Sequence, residues 1–593
     1  MRIAHDRAPV MAIVLLGAAP LAFLPGGLYR FALPKLAVLA VGALVAAYAA
    51  PRGRLPRSVV TGAAVGCVLF VTAALAGAAP LAQLVGRWPR YEGVLGLVVY
   101  LSAVWAGARV LGPQSRPQDF GVAVRVAAGV AVILAAISVA ELCGLRPLGG
   151  DVARPGALLG NATDQGIVGA CLAANLVGPA LRRQARLGRA VATLGLAAAL
   201  VTVVASGSRA ALLGGLIGLG VVGLAQPRAH RRRTLAGTCA SAAALVALAL
   251  VVPGTRSRVT GESPLAVTTI TSRLEQWSAT VSLVRDHLWL GVGPSGFVEA
   301  FPAYRPLSWT VTQNPAGVLD SPHNWVLQVL AAGGVALALC SVVLAAVVAS
   351  AARASIVEAA DGARREYLVG GAAGAVVVAV AGLTHFTSPG IVAVVAAPLG
   401  TLVAARHVRA PNPRPVIVFV RGGMALLVAV LGVACAAEIP LARGAAAAAR
   451  GDVANAEHDF AVAEHLRPWD ADVPLIAAQS FVPETAAGDK SAAQAAGRWS
   501  ARALDRLPGS IEAGSIHVLA LLGVGKPEAA ADEASVLVVV STTDPYLRLL
   551  YGLALARSGE PTRAIEELRL ASQNPYLREL AQRALGVVMG SGK

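Results

Sequence analysis

Residues 165–206 read QGIVGACLAANLVGPAL, then RRQARLGR, then AVATLGLAAALVTVVAS: an apolar run, a short basic stretch and a second apolar run. Each run approaches the length of helix that crosses a hydrocarbon core, about 20 residues for roughly 30 Å. A helix also satisfies its own backbone, as lipid requires. Arginines between two such runs are retained on the cytoplasmic side of a membrane. This stretch therefore predicts a hairpin of membrane helices and gives it a direction.

Working outward, the unit recurs. Apolar segments at 9–28, 31–50, 58–80, 92–111, 120–141, 165–181, 190–206, 209–225, 234–252, 324–350, 366–384, 389–406 and 415–438 predict an all-α, polytopic transmembrane bundle of about 12–13 spans. Alternate loops carry the positive charge: Arg52/Arg54/Arg57, Arg116, Arg182/Arg183/Arg186/Arg189, Arg228/Arg231/Arg232/Arg233, Arg364/Arg365 and Arg406/Arg409/Arg414. That register puts the N-terminus in the cytoplasm and everything after about residue 438 outside. Residues 1–28 resemble a signal peptide, but the next apolar run follows at once, so they read as an uncleaved first span.

Composition agrees. Over 593 residues the chain is 56% hydrophobic and only 14% charged, with a mean hydropathy of +0.66; soluble domains carry about 25% charged residues. The formal charge of +17 does not point to nucleic acid, because Lys and Arg fall in clusters between apolar runs rather than on one face. The six cysteines (Cys67, Cys143, Cys171, Cys239, Cys340, Cys435) stand singly, mostly within apolar runs, and read as packing residues. No external carboxylate cluster suggests a divalent-metal site, and no cofactor motif is present.

Two external segments are long enough to have their own structure, 142–164 and 253–323. In the second, Leu274, Trp277, Val281, Val284 and Leu288 recur at helical spacing until Gly291, Gly293 and Gly296 break the pattern, which predicts a folded cap. Beyond residue 438 the chain turns Ala-rich and acidic. Gly444, Gly451, Ala456, Phe460, Ala463 and Pro468 form one tetratricopeptide-like unit, Gly552, Gly559, Ala564, Leu568 and Ala571 another, with a degenerate unit around Gly525 and Ala530. A generic Ala-rich bundle is the competing reading. The division expected is a transmembrane domain, 1–438, followed by an extracytoplasmic helical-repeat domain, 439–593.

Three residues at external span ends or in the cap carry the chemistry. Arg209, in Ser206-Gly207-Ser208-Arg209, lies at a membrane boundary, where an arginine either snorkels or meets an anion. Arg273 opens the patterned helix Ser272-Arg273-Leu274-Glu275-Gln276-Trp277, where a first-turn position suits a phosphate; pairing with Glu275 or Glu262 is the alternative. His323, in Asp320-Ser321-Pro322-His323-Asn324-Trp325, is fixed just before a span. Asp320 is a competing base; Asp151 and Glu299 are weaker ones. Arg87, Arg90, Arg154, Arg285 and Arg305 are basic residues on the same side, suited to a diphosphate or to lipid headgroups.

The ordered set resembles the O-antigen ligase and polymerase family of membrane glycosyltransferases, which includes the protein O-oligosaccharyltransferases. The resemblance covers roughly residues 150–405. It rests on Ser206–Arg209, on Arg273-x-x-x-Trp277 followed by Leu290-Gly291-Val292-Gly293 and Phe297, on His323-Asn324 followed by Leu327, and on Arg154-Pro155-Gly156 through Asn161. It implies a glycosyltransferase-C-like fold in the cytoplasmic membrane and a donor glycan on a polyprenyl diphosphate. The acceptor would be a glycan, lipid or protein. The family's two essential arginines and histidine map onto Arg209, Arg273 and His323, with Arg154, Asn161, Asp320, Asn324 and Arg305 as further substrate contacts. Two guanidiniums would hold the departing diphosphate, and neutral His323, its pKa near the operating range, would accept the acceptor's proton. The reaction would be inverting, metal-independent and cofactor-free. Typical ligases end soon after their last span, so the tail leaves the acceptor open and could bind a protein partner. A lipid-linked-glycan transporter would show paired ionisable groups at mid-membrane depth, whereas Glu141 lies at a span end. A membrane-anchored scaffold is the third reading.

Overall fold

The computed structural model describes residues 2–148, 154–182, 186–225, 228–262, 264–312, 319–360, 362–406 and 414–590. Among these the chain is all-helical, with a single isolated bridge, Arg54 to Ala405, in place of any strand. Every apolar segment predicted from the sequence falls on a helix. Six of the helices, Arg57–Ala76, Pro117–Leu142, Arg186–Ser206, Arg231–Val251, Trp325–Glu358 and Ile417–Ala448, are long and apolar enough to cross a membrane. The chain is a multi-pass membrane protein. The remaining segments form shorter apolar helices such as Leu33–Tyr48, Val94–Val110, Arg209–Leu224 and Pro389–Val403, or the helices Ala162–Leu181 and Ala363–Ala381.

Ala162–Leu181 is the centre of the bundle. Its Ile167, Val168, Cys171, Leu176 and Val177 are at most 1% exposed, and it packs on Pro117–Leu142, Arg186–Ser206, Arg209–Leu224 and Ala363–Ala381. Without a hydrophobic drive between helices in lipid, close packing of small residues does the work. Gly166 meets Ser206 and Ala211, and Gly195 meets Ala128, at distances that leave no room for a Cβ.

The arginine-rich loops gather at one end of the bundle, where Arg52 pairs with Asp119 at 2.7 Å and Arg365 donates to the Ile356 carbonyl at 2.6 Å. The candidate residues lie at the opposite end. There the cap, helices Pro253–Val259 and Pro264–Asp286 with shorter turns after them, folds over its own core of Leu283, Phe297, Phe301 and Trp309. Phe297 and Phe301 stack with centroids 4.7 Å apart.

Helix Trp325–Glu358 is broken at Gly333 and Gly334, whose backbone is non-helical. The break receives the Leu290-Gly291-Val292-Gly293 stretch: Val292 N–H donates to the Ala331 carbonyl at 2.7 Å and Val335 N–H to the Leu288 carbonyl at 2.9 Å. Irregular backbone at such a place is tolerated because protein supplies the missing bonds. Gly334 has φ +63°, and any Cβ there would strike the Trp289 carbonyl.

Past the bundle the chain continues as antiparallel helices, from Val453–Leu466 to Arg578–Gly590. The helix Arg414–Ala448 belongs to both parts: it carries the last apolar segment and runs on without a break to pack against Val453–Leu466. Gly444 lies against the Phe460 ring, and Ala456, Phe460 and Ala463 are fully buried. The tail docks on the candidate end of the bundle. Arg467 Nη1 reaches Glu438 at 2.9 Å and the Tyr91 hydroxyl at 2.8 Å. Asp472 accepts from Arg87 Nε and from Trp88 N–H, both at 2.7 Å. Asn574 donates to the Thr310 carbonyl at 2.8 Å.

Candidate active site

The cap helix begins at Pro264, not at Ser272, so Arg273 lies well inside it and cannot use free first-turn N–H groups. The β-branched run Val267-Thr268-Thr269-Ile270-Thr271 hid this start; proline at the first helical position supplied it. Arg273 is instead placed by its own face of the helix. Residues three and four positions on share that face, and there Gln276 Nε2 donates to the Ser321 carbonyl at 2.6 Å and Trp277 Nε1 to the Pro322 carbonyl at 3.0 Å. Two bonds thus lash the helix to the segment that bears His323. The Arg-x-x-x-Trp spacing is a positioning device.

His323 has φ +51°, its N–H donates to Ser321 Oγ at 3.0 Å, and it immediately precedes Asn324. Asn324 Oδ1 caps helix Trp325–Glu358 by accepting from Val326 and Leu327 N–H, while its Nδ2 reaches the Leu383 carbonyl at 3.1 Å. Burial first, then Arg273, His385 and Arg90, push the His323 pKa down to about 2. This favours the neutral imidazole but puts its pKa far below the operating range rather than near it, because the loss of water and the neighbouring Arg273, His385 and Arg90 all act in the same direction. Burial likewise holds Arg273 below the ordinary guanidinium value. Arg273 Nη1 and His323 Nδ1 are buried and have no hydrogen-bond partner among the described residues.

Arg90 is the hub the sequence named only as an accessory. Its side chain is 8% exposed and bonds Asp320 through Nε at 2.9 Å; it lies over the Phe386 ring, 4.6 Å from the centroid. The turn between Ala363–Ala381 and Pro389–Val403 brings in Phe386 and His385. His385 Nε2 meets Asp164 Oδ1 at 2.5 Å, both nearly fully buried. Asn161 Oδ1 caps the central helix by accepting from Thr163 and Asp164 N–H. With Tyr29, Arg90, Asp164, Asp320 and Ser388 it lines a cavity of about 100 Å³. His385 was missed from sequence: its place just after an apolar segment is visible there, but not that this segment end adjoins the one bearing His323.

Arg209 starts helix Arg209–Leu224 behind a tight reversal: Gly207 has φ +58° and Ser208 Oγ accepts from Ala211 N–H at 3.3 Å. The turn faces a second basic group, with Arg258 and Arg154 against Gly207 and Arg154 Nη1 donating to the Ser206 carbonyl at 3.4 Å. Burial and Arg258 lower the Arg154 pKa. Arg305 is drawn elsewhere, its Nη1 bound to Asp544 of the tail at 3.0 Å. Glu299 is taken by Arg87. Asp151 lies outside the described residues.

Residues 194–342, which hold Arg209, Arg273 and His323, match the family profile described as O-antigen ligase. Over that stretch the chain is similar to O-antigen ligases. No curated protein matches the chain. The matched stretch contains the cap, the break at Gly333–Gly334 and the lashing of Arg273 to His323, whereas Arg90, Asp164 and His385 reach the same place from outside it. Among the described residues no group of three or more His, Cys, Asp or Glu side chains is placed to hold a metal ion.

Proposed function

We propose that this membrane protein transfers a glycan from a polyprenyl-diphosphate carrier to an acceptor hydroxyl at the outer face of the cytoplasmic membrane, as a step in surface-polysaccharide assembly. The observation that carries the reading is the convergence of Arg273 and His323 inside the stretch that matches O-antigen ligases, each with a buried nitrogen that finds no hydrogen-bond partner among the described residues. Buried, under-neutralised guanidiniums are costly unless they meet an anion. A diphosphate, held bidentately and gaining charge as the glycosidic bond breaks, is the anion that repays them.

In this reading Arg273 and Arg209, with Arg154 beside the latter, hold the diphosphate. His323 holds the attacking hydroxyl by a hydrogen bond, and attack opposite the leaving group inverts the anomeric centre without a metal. Asn161 and Asp320 border the adjoining cavity. The arginine-rich end faces the cytoplasm, which puts cap and tail outside. The tail is of tetratricopeptide type and offers an outer surface to a partner or acceptor. A phosphatase fused after residue 590 should be active in whole cells, and one fused in the 182–189 loop silent.

The direct test mixes purified protein with lipid-linked glycan and candidate acceptors in detergent, with and without chelator. Transfer that survives chelation and disappears in Arg273→Ala is expected. Undiminished transfer in both Arg273→Ala and His323→Ala would overturn the assignment of the site.

A further inference from the structure

A neutral histidine so deeply buried is a good hydrogen-bond acceptor and a poor final owner of a proton. The transfer proposed above releases one proton from the acceptor hydroxyl, so a base must stand close by. Among the buried polar atoms at this end of the bundle that find no hydrogen-bond partner among the described residues are His323 Nδ1, Arg273 Nη1, Arg90 Nη1, Glu92 Oε1 and Gln328 Oε1. They form one connected group. Arg273 and Arg90 both act on His323, Arg90 Nη1 stands 3.6 Å from Glu92 Oε1, and Gln328 Nε2 donates to Glu92 Oε2 at 3.2 Å. Gln328 lies in the second turn of the helix that His323 and Asn324 begin.

Glu92 is held from both sides. Its backbone carbonyl accepts from Ser295 Oγ in the cap at 3.2 Å, and Gln328 fixes one carboxylate oxygen, leaving Oε1 directed at Arg90. The side chain as a whole is 16% exposed, while Oε1 itself is buried.

We propose that Glu92 is the general base of the transfer, a role that rests on the function proposed above. The acceptor hydroxyl oxygen forms its bond to the anomeric carbon as the bond from that carbon to the diphosphate oxygen breaks. The hydroxyl proton passes to Glu92 Oε1, which becomes the neutral acid, and the electron pair leaves with the diphosphate held by the arginines. His323, in the neutral tautomer that carries its proton on Nδ1, donates to the hydroxyl oxygen and so orients it while the hydroxyl's own proton faces Glu92.

Burial raises the Glu92 carboxyl to about 7, with Arg90 opposing and Asp320 reinforcing the shift. A base tuned near the ambient pH is the efficient kind. The charged and titratable groups around it are Arg90 on its own loop, Asp320 and His323 before helix Trp325–Glu358, Arg273 on the cap helix, and Tyr100 on the helix that Glu92 precedes. Beyond Arg90 stand Tyr29, Asp164 and His385.

The test compares wild type, Glu92→Gln and Gln328→Met, each purified in full length and checked for a single folded species. The probe is lipid-linked glycan extracted from membranes of cells lacking this chain, assayed across pH 5 to 9. For wild type the rate at saturating donor should rise through about pH 7. Glu92→Gln should lower it by roughly 10²–10⁴-fold with KM changed little, and should abolish that rise. Gln328→Met should displace the rise while leaving the carboxylate in place. A Glu92→Gln protein that stays within threefold of wild type, or keeps the acid limb, would overturn the base assignment and leave the transfer reading intact. If Glu92→Gln does not fold, an unmoved limb in Gln328→Met counts against the proposal. Absence of transfer by the wild-type protein would overturn both.

Discussion

At the residue scale the site works by withholding partners. Arg273 is half-buried, with its Nη1 buried and unsatisfied, and the cost is recovered only when an anion arrives. Arg273→Lys keeps the charge but loses the planar fork; we expect transfer to fall by roughly 10²–10³-fold, measured as the initial rate at saturating donor, with the protein still folded in detergent. His323 has a stability signature of opposite origin. Its folded pKa, about 2, lies below the ordinary value near 6.5, so between those values the unfolded chain binds more protons than the folded one. The stability it gives is complete above about pH 6.5 and is lost as pH falls towards 2. Acidifying from pH 7 to 5 should therefore lower the thermal midpoint of wild type more than that of His323→Gln. Arg273 and His323 could be picked out in the sequence because both sit in short motifs beside predicted span ends. His385, Glu92 and the centrality of Arg90 could not, because each depends on which span ends are neighbours, and one-dimensional hydropathy does not record that.

At the element scale the decisive object is the interlock between the Leu290–Gly293 stretch and the break at Gly333–Gly334. Two backbones approach so closely that neither Gly291 nor Gly334 can carry a side chain, and both have positive φ. Gly334→Ala should cost about 1–3 kcal/mol from overpacking alone, seen as a lower unfolding midpoint. It should also reduce transfer, since the same helix carries His323 and Gln328 at its start. The sequence announced glycines at 291, 293 and 296 as the end of a helix. It did not announce that helix 325–358 would break to receive them, because Gly333 and Gly334 sit in an unremarkable apolar run. The helix starts at Arg209 and Trp325 were read to within a residue, the start at Ala162 was placed three residues late, and the start at Pro264 was placed at Ser272 because β-branched residues fill the turns after it.

At the scale of the whole molecule the tail is joined to the chemistry through one loop. Residues 87, 88 and 91 are held by Asp472, Arg467 and Glu438, while residues 90 and 92 face the site. Removing one partner of a buried ion pair costs about 3–5 kcal/mol, so Arg467→Ala should release this loop. Hydrogen exchange should then rise in a peptide covering residues 86–93, and transfer should fall although no altered residue touches substrate. Unchanged exchange there would mean that the tail merely rests on the bundle. The change in composition near residue 438 was visible in the sequence; that one continuous helix would bridge it was not. That continuous helix also bears on how the protein is made. Arg467 leaves the ribosome after Glu438 and long after Tyr91, and only a correctly assembled bundle presents both. A finished tail thus acts as a late inspection of the earliest membrane insertions. In cells making Glu438→Ala, failed inspection should be visible as proteolytic clipping of the tail, with the bundle still in the membrane.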